Sequence, residues 1–297
     1  VPERKHPRFC GVFIPSHECL NLPAGFAKSA DRITIAVSMS EKPIALITGA
    51  SAGLGAAFAR RLARDGYDLI LVARRRQPME ALAATLSAQC EILTADLTVD
   101  EELARVAARI ERGDVNLLIN NAGFGTRGRF WETTLESQER MHRLHVLAPM
   151  RLTHAALPFM VARGRGAIIN VSSVAAFGRT PGNTSYCATK AWMNAFTEAL
   201  YMELKSAGSP VKVQALCPGY TYTEFHDVMG ADRSVVPKGW WMDADSVVNA
   251  SIDALDRGPL FVIPGARYRW LVRLIKVIPD SWRIWGSIRY GRKMKRT

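Results

Sequence analysis

The sequence predicts a doubly wound α/β domain on a parallel sheet, and three observations carry that expectation. Short apolar runs alternate with stretches of helical periodicity along most of the chain. A glycine-rich turn, Thr48-Gly49-Ala50-Ser51-Ala52-Gly53-Leu54-Gly55, joins the first apolar run to the first helical one, and such a turn lets backbone amides approach phosphate at a helix amino terminus. The 297 residues, 48% of them hydrophobic, suffice for one sizeable core. The expected single α/β domain spans 39–265, between a poorly ordered extension (1–38) and a basic amphipathic tail (266–297).

The elements follow in order. Ile44 to Ile47 reads as the first strand and Leu54 to Ala63 as the first helix. The second strand, Asp68 to Ala73, runs into Arg74-Arg75-Arg76, and a helical pattern continues from Gln77 to Gln89. Glu91 to Ala95 is the third strand, Glu101 to Glu111 the next helix and Val115 to Ile119 the fourth strand. Thr133 to Arg163 is expected as one long helix, followed by the strand Ala167 to Val171. A helix over roughly Ser185 to Lys205, a strand from Val211 to Leu216, a helix from Ala244 to Asp256 and a last strand from Leu260 to Ile263 complete the series.

Three residues point to chemistry at the carboxyl edge of that sheet. Tyr186 and Lys190 stand four apart on a helix, so phenol and ammonium share a face. A tyrosine of pKa near ~10 is only about 0.1% ionised at neutral pH. An ammonium 4–6 Å away is worth roughly 3–4 kcal/mol at an effective dielectric near 20, or roughly two to three pK units, which brings the phenol towards acid–base strength. Ser173 follows the strand Ala167 to Val171, where a hydroxyl opens onto the ligand crevice and can hydrogen-bond a carbonyl. Taken alone, Tyr-x-x-x-Lys is as often a surface pair; the glycine loop and the serine give it meaning.

With those residues in place, the chain resembles the short-chain dehydrogenase/reductase family over about Pro43 to Pro264. The resemblance rests on the loop Gly49-x3-Gly53-x-Gly55, on Asn120-Asn121-Ala122-Gly123, on Ser173 and Tyr186-x3-Lys190, and on Pro218-Gly219-Tyr220-Thr221-Tyr222-Thr223. It implies a Rossmann-type domain and the interconversion of a ketone and a secondary alcohol. It further implies Tyr186 as proton donor or acceptor, Lys190 as the group that lowers its pKa and binds the nicotinamide ribose, and Ser173 as the group polarising the carbonyl. Gly49, Ser51, Gly53, Leu54 and Gly55 would hold the pyrophosphate side of the cofactor. Asp96 would meet the adenine, and Asn121, Ala122, Gly123, Pro218, Gly219, Thr221 and Thr223 would support the nicotinamide end. One position departs from the pattern: His145 stands where the family usually has a catalytic asparagine that helps hold a water in a proton relay. A histidine could fill that role with its charge titrating near working pH, or it could simply pack.

Cofactor choice hangs on the end of the second strand. An acidic residue there would bind the adenosine ribose and favour NAD; here the strand meets arginines instead. A guanidinium suits a 2′-phosphate, so Arg74, with Ser51 nearby, is expected to select NADP(H).

Composition sets further bounds. Five scattered cysteines without disulfide-like spacing fit a reducing, cytoplasmic setting. His6, Cys10, His17 and Cys19 match no zinc spacing, so no metal is expected. No apolar run reaches eighteen residues, which excludes an obvious spanning helix. Residues 1–38 lack the continuous apolar core of a secretory signal, and Met39 leads directly into the first strand as a natural start would. The net charge of +12 gathers partly in the tail, where Tyr268, Leu271, Val272, Ile275, Ile278, Trp282, Trp285 and Ile288 recur at helical spacing among basic residues, ending in Arg292-Lys293-Met294-Lys295-Arg296. Such a helix can lie peripherally on an anionic membrane, or pack on the domain or a second subunit of a homo-oligomer. No nucleic-acid motif accompanies the charge. The segment Glu224 to Met242, with Phe225, Val228, Met229, Trp240 and Trp241, is expected to wall a hydrophobic substrate of 3-oxoacyl, steroid-like or hydroxy-acid type. The alternative is a non-enzymatic NADP-binding or membrane-associated scaffold that retains the fold.

Overall fold

A computed structural model of the chain describes residues 42–225 and 236–293. The amino-terminal extension, Val228 and Met229, and Met294 onward lie outside the described residues. Residues from Glu41 onward form one compact unit.

Seven parallel strands make a single sheet: β1 (Ile44–Thr48), β2 (Asp68–Ala73), β3 (Cys90–Thr94), β4 (Val115–Asn120), β5 (Ala167–Val171), β6 (Lys212–Leu216) and β7 (Phe261–Val262). Their order is β3-β2-β1-β4-β5-β6-β7. The chain winds outward from β1 to β3 and then returns to start again at β4. That reversal leaves a crevice beyond the carboxyl ends of β1 and β4. Strand side chains alternate between two apolar layers: Ala45, Ile47, Leu69 and Leu71 enter one, Leu46, Ile70 and Val72 the other. The helices α1 (Gly53–Arg64) and α2 (Arg76–Ala83) cover the first layer with Phe58, Leu62 and Met79. The second is covered by α3 (Asp100–Ile110) with Leu103, Val106 and Ile110. Because both faces are buried, these strands read as continuous apolar runs.

The expected long helix at Thr133 to Arg163 is three pieces: α4 (Leu135–His142), a π-helical turn at Arg143–Leu147 and α5 (Ala148–Ala162). Pro149 explains the interruption. It has no N–H for the carbonyl of His145 four residues back, and its ring crowds that carbonyl, so the helix widens there. The helix after β2 is also shorter than its periodicity suggests. It ends at Ala83, and the Thr85 hydroxyl bonds to the Leu82 carbonyl at 2.7 Å, a local bond that competes with further helix.

Two helices flank β6: α6 (Thr184–Ser206) before it and α7 (Ala244–Leu255) after it. The tail forms α8 (Ala266–Val277) and α9 (Asp280–Lys293), divided by Pro279. Of the outcomes open to that tail, packing on the domain is realised on one face. Tyr268 and Val272 are buried, Lys276 lies 5.3 Å from the Phe177 ring centroid, and Gly291 faces Pro181.

Candidate active site

The crevice is built first by backbone. Thr48, at the end of β1, holds the turn after β4: its Oγ1 accepts the amides of Asn121 (2.9 Å) and Ala122 (3.0 Å) and donates to the Ile119 carbonyl (3.2 Å). Asn121 returns the bond through its side chain to the Thr48 carbonyl at 2.8 Å. Gly49 adopts φ of +69°, and a Cβ there would stand 2.9 Å from the Ala122 Cα, so both φ and space demand glycine. A Cβ on Gly55 would overlap the Gly49 carbonyl.

These glycines bring a bare helix terminus to the crevice. Ala52 precedes α1 without a capping side chain, and the first turn holds no acidic residue. By contrast, Thr134 caps α4 and Asp243 caps α7, accepting the Ser137 and Ser246 amides. With no side-chain cap, the first α1 amides beside the glycine loop are open to an external anion such as a dinucleotide pyrophosphate.

The reactive groups come from β5 and α6. Ser173 follows β5, and its Oγ accepts the Ala175 amide at 3.1 Å while donating to the Pro218 carbonyl at 3.5 Å. That long second bond leaves the hydroxyl hydrogen easily redirected. Tyr186 and Lys190 lie one turn apart on α6, with Nζ 5.9 Å from the phenol ring centroid. Lys190 is 4% exposed, donates to the Val171 carbonyl at 2.7 Å, and is pulled down by burial to a pKa of about 8. Beneath them a buried polar ladder joins four elements: Asn120 donates to Thr153 and Asn170, and Asn170 to Thr197. The nearby Cys217 thiol is pushed up to about 12, chiefly by burial, and stays protonated.

The sequence leaves two roles open for His145, a relay or simple packing. The π turn aims it inward, where it is fully buried, with Nε2 accepting the Phe124 amide at 3.2 Å and Nδ1 3.0 Å from Thr189 Oγ1. The Thr189 hydrogen is directed to the Tyr186 carbonyl, so Nδ1 carries the ring proton. Burial first, then the charge of Lys190, holds its pKa well below 6.5. It therefore does not titrate near neutrality, and both ring nitrogens are spent on protein groups. Its ring sits 5.9 Å from that of Tyr186, edge to face, and packs the base of the site.

The loop after β6 forms the outer wall. Thr223 packs on Gly53 and Phe225 lies 5.7 Å from Tyr186 between ring centroids. Trp241 stacks on Tyr222 at 4.8 Å. Tyr268 of α8 reaches under this wall: its hydroxyl accepts the Tyr220 amide (2.9 Å) and donates to the Trp240 carbonyl (2.5 Å), and its ring fills the space where a Gly219 Cβ would stand. Burial raises its pKa to about 12. Tyr290 of α9 meets the Tyr220 hydroxyl at 3.0 Å.

The arginines after β2 take different surroundings. Arg75 is the residue beside the glycine loop, 3.3 Å from Ser51 Oγ and paired with Glu224 at 2.8 Å. Arg74 adds its charge to the surroundings of Asp96. Burial alone would raise the Asp96 pKa, but the Thr98 amide and hydroxyl, with Arg74 and Arg140, hold it below the usual carboxylate value. Sequence reasoning missed Thr48, Thr189, Arg75 and Tyr268 as parts of the site. Arg75, in a basic run, and Thr48, at the head of the glycine-rich turn, stand inside motifs visible in the sequence. Among the described residues no His, Cys, Asp and Glu cluster suits a metal ion.

Fold and site together define an oxidoreductase of the dinucleotide-linked class. The short chain dehydrogenase family model matches residues 43–234, and the chain belongs to that family. It is similar to an uncharacterized oxidoreductase of Staphylococcus epidermidis, 29% identical over 217 residues, 72% of this chain and 91% of the relative. Among solved structures it resembles a short-chain dehydrogenase from Sphingobium yanoikuyae in complex with NADPH, at 38% identity and TM-score 0.72, covering 80% of this chain and 97% of the other. It also resembles a bulky-bulky ketone specific alcohol dehydrogenase from Comamonas testosteroni, at 33% identity and TM-score 0.69, covering 82% and 97%.

Proposed function

We propose that the chain is an NADP(H)-dependent oxidoreductase that interconverts a hydrophobic ketone and its secondary alcohol. The observation that carries this reading is the buried Lys190 ammonium, 5.9 Å from the Tyr186 ring centroid and bonded to the Val171 carbonyl two residues before Ser173. The bound nicotinamide would supply or accept the hydride. Ser173 would donate its hydrogen to the substrate oxygen, and Tyr186 would pass a proton to or from that oxygen. The charge of Lys190 would stabilise the phenolate and bind the nicotinamide ribose. His145 packs beside Tyr186, and Phe124 packs on His145.

Two further parts belong to the same reading. NADP(H) is favoured because β2 ends in arginines and no acid stands at that place, with Arg75, Arg74 and Ser51 available to a 2′-phosphate. The aromatic wall of Phe225, Tyr222 and Trp241 favours a bulky apolar substrate. The named Comamonas and Sphingobium proteins support both points by similarity.

A panel of bulky ketones and alcohols, assayed with both cofactors at the reduced-nicotinamide absorbance, tests the proposal. Tyr186→Phe should lower kcat by about 10³-fold or more, the scale of a lost acid–base group with its orienting partner, while leaving NADPH affinity within a few-fold. Substantial turnover by the purified variant would sink the mechanism. Arg75→Asp should lower the NADPH-to-NADH affinity ratio by about tenfold or more, as a lost charge-assisted pair does, measured by fluorescence titration. An unchanged ratio would remove Arg75 from cofactor selection.

A further inference from the structure

The two carboxyl-terminal helices carry apolar side chains that neither the core nor the proposed chemistry uses. On α8, Tyr268, Val272 and Ile275 turn towards the domain. Trp270, Leu274 and Val277 fall on the opposite side by helical position and are 70%, 50% and 76% exposed. On α9, Trp282 and Trp285 are 71% and 65% exposed, with Ile288 one turn beyond. Exposed apolar stripes of this kind mark an interaction surface.

Charge identifies the occupant. Residues 266–297 contain ten Lys or Arg and a single acidic residue, Asp280, which is already paired with Arg283 at 2.6 Å. By helical position Arg269 and Arg273 border the α8 stripe on one side and Arg267 on the other. The Arg289 guanidinium lies over the Trp285 ring at 5.6 Å. A second copy would set this basic surface against itself, whereas an anionic bilayer complements it. Tryptophan suits the same place, with an apolar body and a polar edge for the headgroup level. Among the described residues no helix is long and apolar enough to cross a membrane, so these helices would lie along its surface.

We propose that α8 and α9 together form a docking surface for anionic phospholipid bilayers, with Trp270, Trp282 and Trp285 entering the headgroup layer. The proposal stands apart from the catalytic reading and is tested without an activity assay. Deleting the tail is the wrong experiment, because Tyr268 and Val272 support the domain. The full chain is sedimented instead with vesicles of phosphatidylcholine alone and of phosphatidylcholine mixed with phosphatidylglycerol, at low salt and at about 0.5 M salt, where screening shortens to a few ångströms. The expected result is binding to the mixed vesicles only, weakened by about tenfold at high salt. Trp282→Ala with Trp285→Ala, and separately Arg269→Gln with Arg273→Gln, should each weaken it by about tenfold while the circular dichroism melt stays that of the parent. Equal binding to neutral vesicles, binding to neither, or Trp variants that bind like the parent would each overturn the proposal. So would a parent oligomer, seen by light scattering, that the Trp substitutions dissociate without any vesicle binding; the face would then join copies of this chain.

Discussion

His145 is neutral because the fold offers it no place for a second proton. Its Nδ1 hydrogen is taken by Thr189 and its Nε2 lone pair by the Phe124 amide. Protonation would break the second bond and bury a charge near Lys190. The sign of the pH effect follows. The unfolded histidine titrates near ~6.5, the folded one well below, so between those values the unfolded chain holds more protons. Stability from this site is therefore full above about pH 6.5 and lost as pH falls below it. His145→Asn, which keeps one donor and one acceptor without a titrating group, should flatten that part of the acid slope in urea melts from about pH 5 to 8. A slope identical to the parent would show that His145 does not carry it. Residue identity and spacing make Ser173, Tyr186 and Lys190 candidates from the sequence alone, since hydroxyl, phenol and ammonium are the groups the proposed chemistry needs. The state of His145 was not legible, because burial and a tautomer are set by elements distant in the chain. Within Arg74-Arg75-Arg76, likewise, only the backbone direction after β2 decides which guanidinium reaches Ser51.

At the scale of elements, strands buried on both faces were the easiest to read. β2 and β5 match their apolar runs, and β1 and β4 extend theirs by a single residue. The stretch from Thr133 to Arg163 was harder, since apolar spacing persists through a π turn, and of its two prolines Pro149 follows the break while Pro158 sits inside α5. Helix α8 shows a different limit. Its sequence holds two apolar stripes, and periodicity alone cannot say which one the domain takes. The domain takes the stripe bearing Tyr268, which makes this helix a brace for the loop after β6. Tyr268→Phe keeps the ring over Gly219 but leaves the Tyr220 amide and the Trp240 carbonyl without that hydroxyl, at a cost of about 1–3 kcal/mol. The expected outcome is a KM for ketone raised several-fold, with NADPH affinity nearly unchanged and a melting temperature a few degrees lower. An unaltered KM alongside a lowered melting temperature would confine Tyr268 to general stability.

Across the whole molecule, the order of strands places the site more than any single motif does. The loop after β1, the turn after β4, Ser173 after β5 and the wall after β6 all open at one edge because every strand runs the same way. The sequence indicated a doubly wound sheet through its alternation of elements. It gave no sign that residues after Arg267 close that edge from below, since the contact spans about fifty positions and joins two unremarkable residue types. Gly219 and Tyr268 fill one volume between them. A side chain at one is bought only with a smaller group at the other, so substitutions at either position are expected to be tolerated as compensating pairs. Descendants of this chain could then gain bulk in the loop only after, or together with, a loss of the ring at position 268, and the two segments would be bound to change in step.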